Sequence, residues 1–239
     1  GYYRAAQTFA FVPYQLIISM TFIVFPMISK ATSIGNREAA RSTIQHAMRL
    51  SLLLLLLVAA PTSGAAEGVM RLAYPADYLA GAPALSILVF GVAAFALFAV
   101  AATAISGAGK PSVAAAIAGV SLLVVVGANR ILLMRAGLGE DALRAVATGT
   151  TLGMLVALFL SAWVIRRSFG VFIPIATWLR AALAAGAGYA AAAAVPHDSP
   201  LMAILALAAG FLSALAVLVA TRELTLNDWR ALRRIAHRD

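Results

Sequence analysis

The chain contains no cysteine, and its charged residues are scarce: they make up 11% of 239 residues, and only nine are acidic. Without cysteine there is no disulfide, no thiolate metal site and no cysteine nucleophile. With so few charges beside 63% hydrophobic residues, polar side chains cannot cover a water-soluble globule of this size, so lipid has to. Also missing is the apolar–polar alternation at period two that a membrane β-barrel strand needs. What recurs instead are Ala- and Leu-rich runs of about 20 residues, the length a helix takes to cross hydrocarbon while satisfying all its own backbone groups. The predicted fold class is all-α and integral to the membrane: a seven-helix transmembrane bundle with amphipathic interfacial helices.

Catalytic chemistry finds no foothold. His46, His197 and His237 are scattered outside the apolar runs, with no paired acid to complete a metal or nucleophile constellation. A membrane glycosyl polymerase or ligase is expected to display a sizeable external loop with catalytic groups, and this chain has only stubs such as PHDSP. The expectation is no enzyme, no catalytic residue, no metal and no cofactor. The net charge of +9 does not point to nucleic acid, because the basic residues sit between apolar runs rather than on one soluble face; their partner is the anionic headgroups of membrane lipids.

The runs predict spans over residues 5–28, 50–70, 81–105, 113–133, 145–165, 181–195 and 201–220. Counted in alternate gaps, thirteen of the eighteen Lys and Arg fall on the side that includes Lys30, Arg49, Lys110, Arg166 and Arg180. Basic loops stay cytoplasmic, so the N-terminus is expected outside and the C-terminus inside. Residues 29–49 read as a cytoplasmic amphipathic linker, with Arg37, Arg41, Gln45 and Arg49 in one row and Ala40, Ile44 and Met48 in another. Residues 222–239 read as a second, cytoplasmic amphipathic tail. The segment SFGVFIPIATW before the sixth span is expected to dip into the membrane or lie along it. The chain opens on Gly1 without the basic region or cleavage site of a signal peptide, which suggests a segment of a longer protein.

Polar groups within membrane spans are candidates for function. Arg4, Gln7 and Gln15 begin the first span; a cationic, amide-lined face suits pyrophosphate and sugar hydroxyls, although Arg4 can equally anchor the span's outer end. Asn129 and Arg130 close the fourth span, facing either an aqueous cavity or the headgroup zone. Glu67 is either a carrier of a coupling proton or cation or an interfacial partner of Arg71, four residues on. Pro13, Pro26 and Pro61 each remove a backbone donor and predict kinks, which suit helices that bend around a cavity. The small-residue runs AALAAGAGYAAAA and ALAAGFLSALA read as packing faces.

The opening GYYRAAQTFAFVPYQLIISMTFIVFPMISKA, with its Tyr-rich start, mid-helix proline and FP before a small polar exit, resembles a helix in the second lobe of polysaccharide flippases of the multidrug, oligosaccharide-lipid and polysaccharide exporter superfamily. GNREAA before a Leu-rich helix, RLAYPADYLAGAPAL as an aromatic hairpin, and SGAGKPSVAAAIAG as a short inner loop follow in the family's order. The resemblance covers residues 1–119 by motif and the remainder by helix count. It implies a C-terminal lobe, helices eight to fourteen of a 14-helix transporter whose N-terminal lobe is missing here. The implied substrate is a polyprenyl-pyrophosphate-linked oligosaccharide, moved between leaflets of a bacterial inner membrane for O-antigen, capsule or exopolysaccharide, with polysaccharide polymerase or assembly proteins as further partners. Two relatives remain open: a cation-coupled multidrug exporter, which wants buried carboxylates, and a lipid II flippase. Members of the latter often carry Arg about five residues before the proline matching Pro13, where this chain has Thr8. A non-transporting membrane scaffold is the reading outside this superfamily.

Overall fold

In a computed structural model the protein is described over residues 1–223, apart from the side chains of Ser19 and Met20; the tail expected over 222–239 lies, past Glu223, outside the described residues. Among the described residues the elements are helices α1 (Tyr2–Ala10), α2 (Val12–Ser33), α3 (Arg37–Gly64), α4 (Ala66–Ala73), a 3-10 turn (Ala76–Gly81), α5 (Ala82–Gly107), α6 (Pro111–Arg135), α7 (Glu140–Phe169), α8 (Ile175–Ala193) and α9 (Pro200–Ala220), with no strand. Large apolar side chains such as Phe22 and Leu123 stand 76% and 74% exposed, a surface only lipid or further protein can cover. The chain is an all-helical membrane protein.

Helix α5 is the centre. It is apolar on every side, as expected of a helix with no face toward water, and Leu85, Leu88, Val92, Leu97 and Val100 are fully buried. Helices α2, α3 and α7 pack along it, α1 caps one end, and α6 lies outside α7. The antiparallel pair α8–α9 is held to the opposite face of α3. There the backbones nearly touch: a Cβ on Gly210 would stand 2.7 Å from the Gly188 carbonyl oxygen and 2.9 Å from the Pro61 Cβ.

Several expected boundaries are corrected. The first span is two helices, broken at Phe11, because Pro13 has no N–H and its ring excludes the Phe9 carbonyl from the helical position. Pro26, by contrast, lies within α2 without interrupting it. The expected span over 50–70 ends at Gly64, three residues past Pro61, where the weak helix former Gly lies against the Tyr189 carbonyl of α8; α4 resumes after Ala65.

The linker over 29–49 is not a separate surface helix. Residues 29–33 finish α2, Gly35 turns the chain at φ +70°, and the Asn36 side chain accepts from the Ala39 N–H (3.0 Å) to start α3. From there α3 runs unbroken for 28 residues, because Ala40, Ile44 and Met48 bury into the bundle instead of into headgroups.

Helix α8 starts at Ile175, six residues before the span expected from 181, with Pro174 as its N-cap. Only residues 170–174 between α7 and α8 are irregular, so SFGVFIPIATW is mostly helix end and helix start. Among the described residues six helical segments are long and apolar enough to cross a membrane, and α8 is not one of them; Trp178, Arg180 and Tyr189 dilute its 19 residues.

The tight α8–α9 crossing gives a test. Gly210→Ala forces a backbone-limited overpacking that costs about 1–3 kcal/mol, read as a lower unfolding midpoint of the detergent-purified chain. Gly186→Ala, on α8 with open space around it, should hold or raise the midpoint, since Ala is the better helix former by about 1 kcal/mol. Equal midpoints would contradict the packing described.

Candidate functional site

The first span has two faces of opposite character. Ala5, Ala6, Ala10, Ile17, Val24 and Ile28 are buried toward the bundle. Arg4, Thr8 and Gln15 fall on the other side: Thr8 is one turn from Arg4, Gln15 three turns, and all three are exposed. The Thr8 hydroxyl donates to the Arg4 carbonyl (3.1 Å), while the Arg4 guanidinium has no ion pair among the described residues. Gln7 is half-buried at the flank of this stripe. Exposed Val12, Phe22, Ile23 and Phe25 continue the face as an apolar wall.

Aromatic contacts set the position of α1. Tyr2 meets Tyr78 edge-on at 5.2 Å between ring centroids, Tyr78 stacks on Tyr74 at 5.1 Å, and Tyr74 meets Phe9 at 6.0 Å. The turn YPADY between α4 and α5 therefore clasps α1 by its rings. Gly81 lets the backbones approach, since a Cβ there would lie 3.0 Å from the Tyr2 carbonyl oxygen.

Asn129 and Arg130, expected as a pair, go separate ways. Arg130 is exposed. Asn129, six residues before the end of α6, turns inward: its Nδ2 donates to the Thr150 hydroxyl of α7 (3.5 Å), which also meets the Tyr3 hydroxyl of α1 (3.3 Å). Its Oδ1 is buried and has no partner among the described residues. Gly149 makes room, because any Cβ there would collide with the Asn129 amide. This cluster joins α1, α6 and α7 through polar groups in an otherwise apolar interior.

Glu67 is half-exposed on α4 and accepts from Arg71 Nη2 at 2.8 Å, the interfacial pairing that the i, i+4 spacing allows. The carboxylate is on the surface and already partnered.

Sequence reasoning missed Glu223. It follows α9 and is 3% exposed. Its Oε1 accepts from Arg49 Nε (2.9 Å) and the Thr177 hydroxyl (2.7 Å), its Oε2 from Arg180 Nη1 (2.8 Å), and its backbone carbonyl from Arg49 Nη2. One carboxylate thus ties α3, α8 and the end of α9 together. Arg49 was read as part of the linker's polar row, Arg180 as a loop charge, and Glu223 lay at the start of the basic tail, so spacing gave no hint. Its one signal is an acid at the start of an arginine-rich run.

Burial pushes the Glu223 carboxyl up, but hydrogen bonds from Arg180, Thr177 and Arg49 outweigh it and hold the pKa below the ordinary carboxylate value. With the folded pKa depressed, the clamp's stabilisation is complete above the ordinary carboxylate range and is lost only as pH falls through the lower folded value. Glu223→Ala should cost about 2 kcal/mol, less than the 3–5 of a fully buried pair because Arg180 remains 45% exposed. The measurement is thermal unfolding against pH: the wild type loses its advantage over Glu223→Gln only in acid, and a constant difference across pH would refute the assignment.

No family model matches the chain, and no curated protein does. Among solved structures, one described as "Lipid II flippase MurJ, inward closed conformation" shares the fold, with a TM-score of 0.75 at 14% sequence identity. The match covers 93% of this chain and 47% of that one, so the chain spans about half the length of the structure it resembles. At this identity the likeness is one of fold: the chain folds like about half of that structure.

Proposed function

We propose that this chain is the C-terminal lobe of a transporter that flips a polyprenyl-pyrophosphate-linked oligosaccharide from the inner to the outer leaflet of a bacterial inner membrane by alternating access. The observation that carries the reading is the polar stripe of Arg4, Thr8 and Gln15 on a face of the first span that the rest of the bundle leaves open. In hydrocarbon such a stripe is costly, so it belongs against a hydrated cavity completed by an N-terminal lobe. Guanidinium binds phosphate oxygens in a bidentate way, and side-chain amides suit sugar hydroxyls. The lipid tail can remain in the bilayer while this face shields the headgroup from it.

The likeness in fold to half of a flippase supports the reading. In this reading the end of the bundle bearing Lys30, Arg49, Lys110, Arg166 and Arg180 faces the cytoplasm. Asn129 lies near the opposite, outer end of α6, turned into the bundle beside Thr150 and Tyr3, and Arg130 belongs to the headgroup zone there. Polysaccharide polymerase and assembly proteins are the partners such a transporter would serve.

A lipid II flippase is the second reading, favoured by the description of the structural neighbour. Cation-coupled drug export has less support, because Glu67, its candidate carboxylate, is paired with Arg71 on the surface.

Arg4→Ala in the intact protein should lower export of lipid-linked oligosaccharide at least about tenfold, the value of a lost charge-assisted hydrogen bond, with Arg4→Lys partly restoring it. Export is measured as surface polysaccharide in cells relying on the variant. Unchanged export would refute the cavity assignment, and loss of peptidoglycan precursor export instead would move the substrate to lipid II.

A further inference from the structure

Outside the polar stripe, a groove of about 540 Å³ lies between the second half of α7 and the segment leading into α8, within the roughly 300–1,000 Å³ common to ligand sites. Phe159, Ala162 and Trp163 form one wall, Phe172 and Trp178 the other, and Arg166 stands at the mouth. Leu155, Leu158 and Trp178 are shared with a second opening that continues inward between α3 and α5. The groove therefore runs from a cation at the end of the bundle into an apolar cleft in its middle.

Its dimensions match one leaflet. From Arg166 to Leu155 is eleven residues of α7, a rise of about 16 Å, and half of the hydrocarbon core is about 15 Å. Arg166 is exposed and has no ion pair among the described residues. Beside it the Arg167 guanidinium lies over the Trp163 ring, 5.5 Å from its centroid, an arrangement suited to headgroup depth.

We propose that this groove is a binding site for an anionic membrane phospholipid, one acyl chain lying along α7 and the phosphate held at Arg166. Charge selects the occupant: the walls accept any acyl chain, but the exposed cation at the mouth, with no ion pair among the described residues, favours a lipid with net negative charge over a zwitterionic one. The bound chain fills the seam between α7 and α8, which protein side chains leave open. The site faces a different part of the bundle from Arg4 and does not depend on the transported substrate.

The test is native mass spectrometry of the purified chain, delipidated and titrated with phosphatidylglycerol or phosphatidylcholine carrying identical acyl chains. The most tightly retained lipid should be phosphatidylglycerol, by about fivefold over phosphatidylcholine, the equivalent of about 1 kcal/mol for one surface arginine. Arg166→Gln, an exposed change that leaves packing intact, should abolish this preference. Ala162→Trp, which fills the groove, should lower retention of both lipids. Equal retention by the wild type, or a preference that survives Arg166→Gln, would overturn the proposal. So would displacement of phosphatidylglycerol by an equimolar polyprenyl phosphate, which would give the groove to the transported lipid's tail.

Discussion

Hydrocarbon offers no hydrogen-bond partner, and that constraint sorts every polar side chain in this protein. A polar group in the bundle is satisfied by another part of the chain, sits at an end where headgroups and water reach it, or faces something beyond the described residues. Glu223 belongs to the first kind, with two guanidiniums and a hydroxyl converging on it. Glu67 belongs to the second, exposed and paired with Arg71. Arg4 and Gln15, exposed on the first span, belong to the third in the function proposed here. This distinction, not residue type, separates structural charges from functional ones, and it needs coordinates because pairing across α3, α8 and α9 joins residues up to 174 positions apart.

The fold class was legible because it depends on composition and run length, which survive any arrangement of the helices. Helix ends were less so. The linker over 29–49 displays a polar row and an apolar row, and an interfacial helix and a buried helix start show the same periodicity. What decides is whether Ile44 and Met48 meet lipid or protein, and both are fully buried within the bundle. The break at Phe11 could be anticipated from Pro13, whose effect is local. The break after Gly64 could not be anticipated in the same way, since it falls where α8 crosses α3 and depends on a long-range contact.

The candidate site divides along the same line. Arg4 and Gln15 stand out because strong polar groups are rare in apolar runs, a signal carried by the sequence itself. Asn129 also stood out, but its neighbour Arg130 suggested a shared environment that the helix denies: adjacent residues on α6 point about 100° apart. Thr150 and Tyr3 gave no signal, being ordinary residues in membrane helices, and only the approach of α1 and α7 makes them part of a cluster.

The two flippase readings differ less in chemistry than in depth. By resemblance, lipid II flippases place an arginine where this chain has Thr8, and here the cation is Arg4, one turn earlier on the same exposed face. That moves the charge about 6 Å along the helix, away from the break at Phe11. A pyrophosphate held there would sit closer to the aromatic clasp of Tyr2, Tyr74 and Tyr78. The space toward Gln15 would then be left to the sugar chain. A cavity with its phosphate anchor near one end and amides deeper suits an extended oligosaccharide headgroup, which is the physical basis for preferring polysaccharide precursors over a substrate recognised at the middle of the helix.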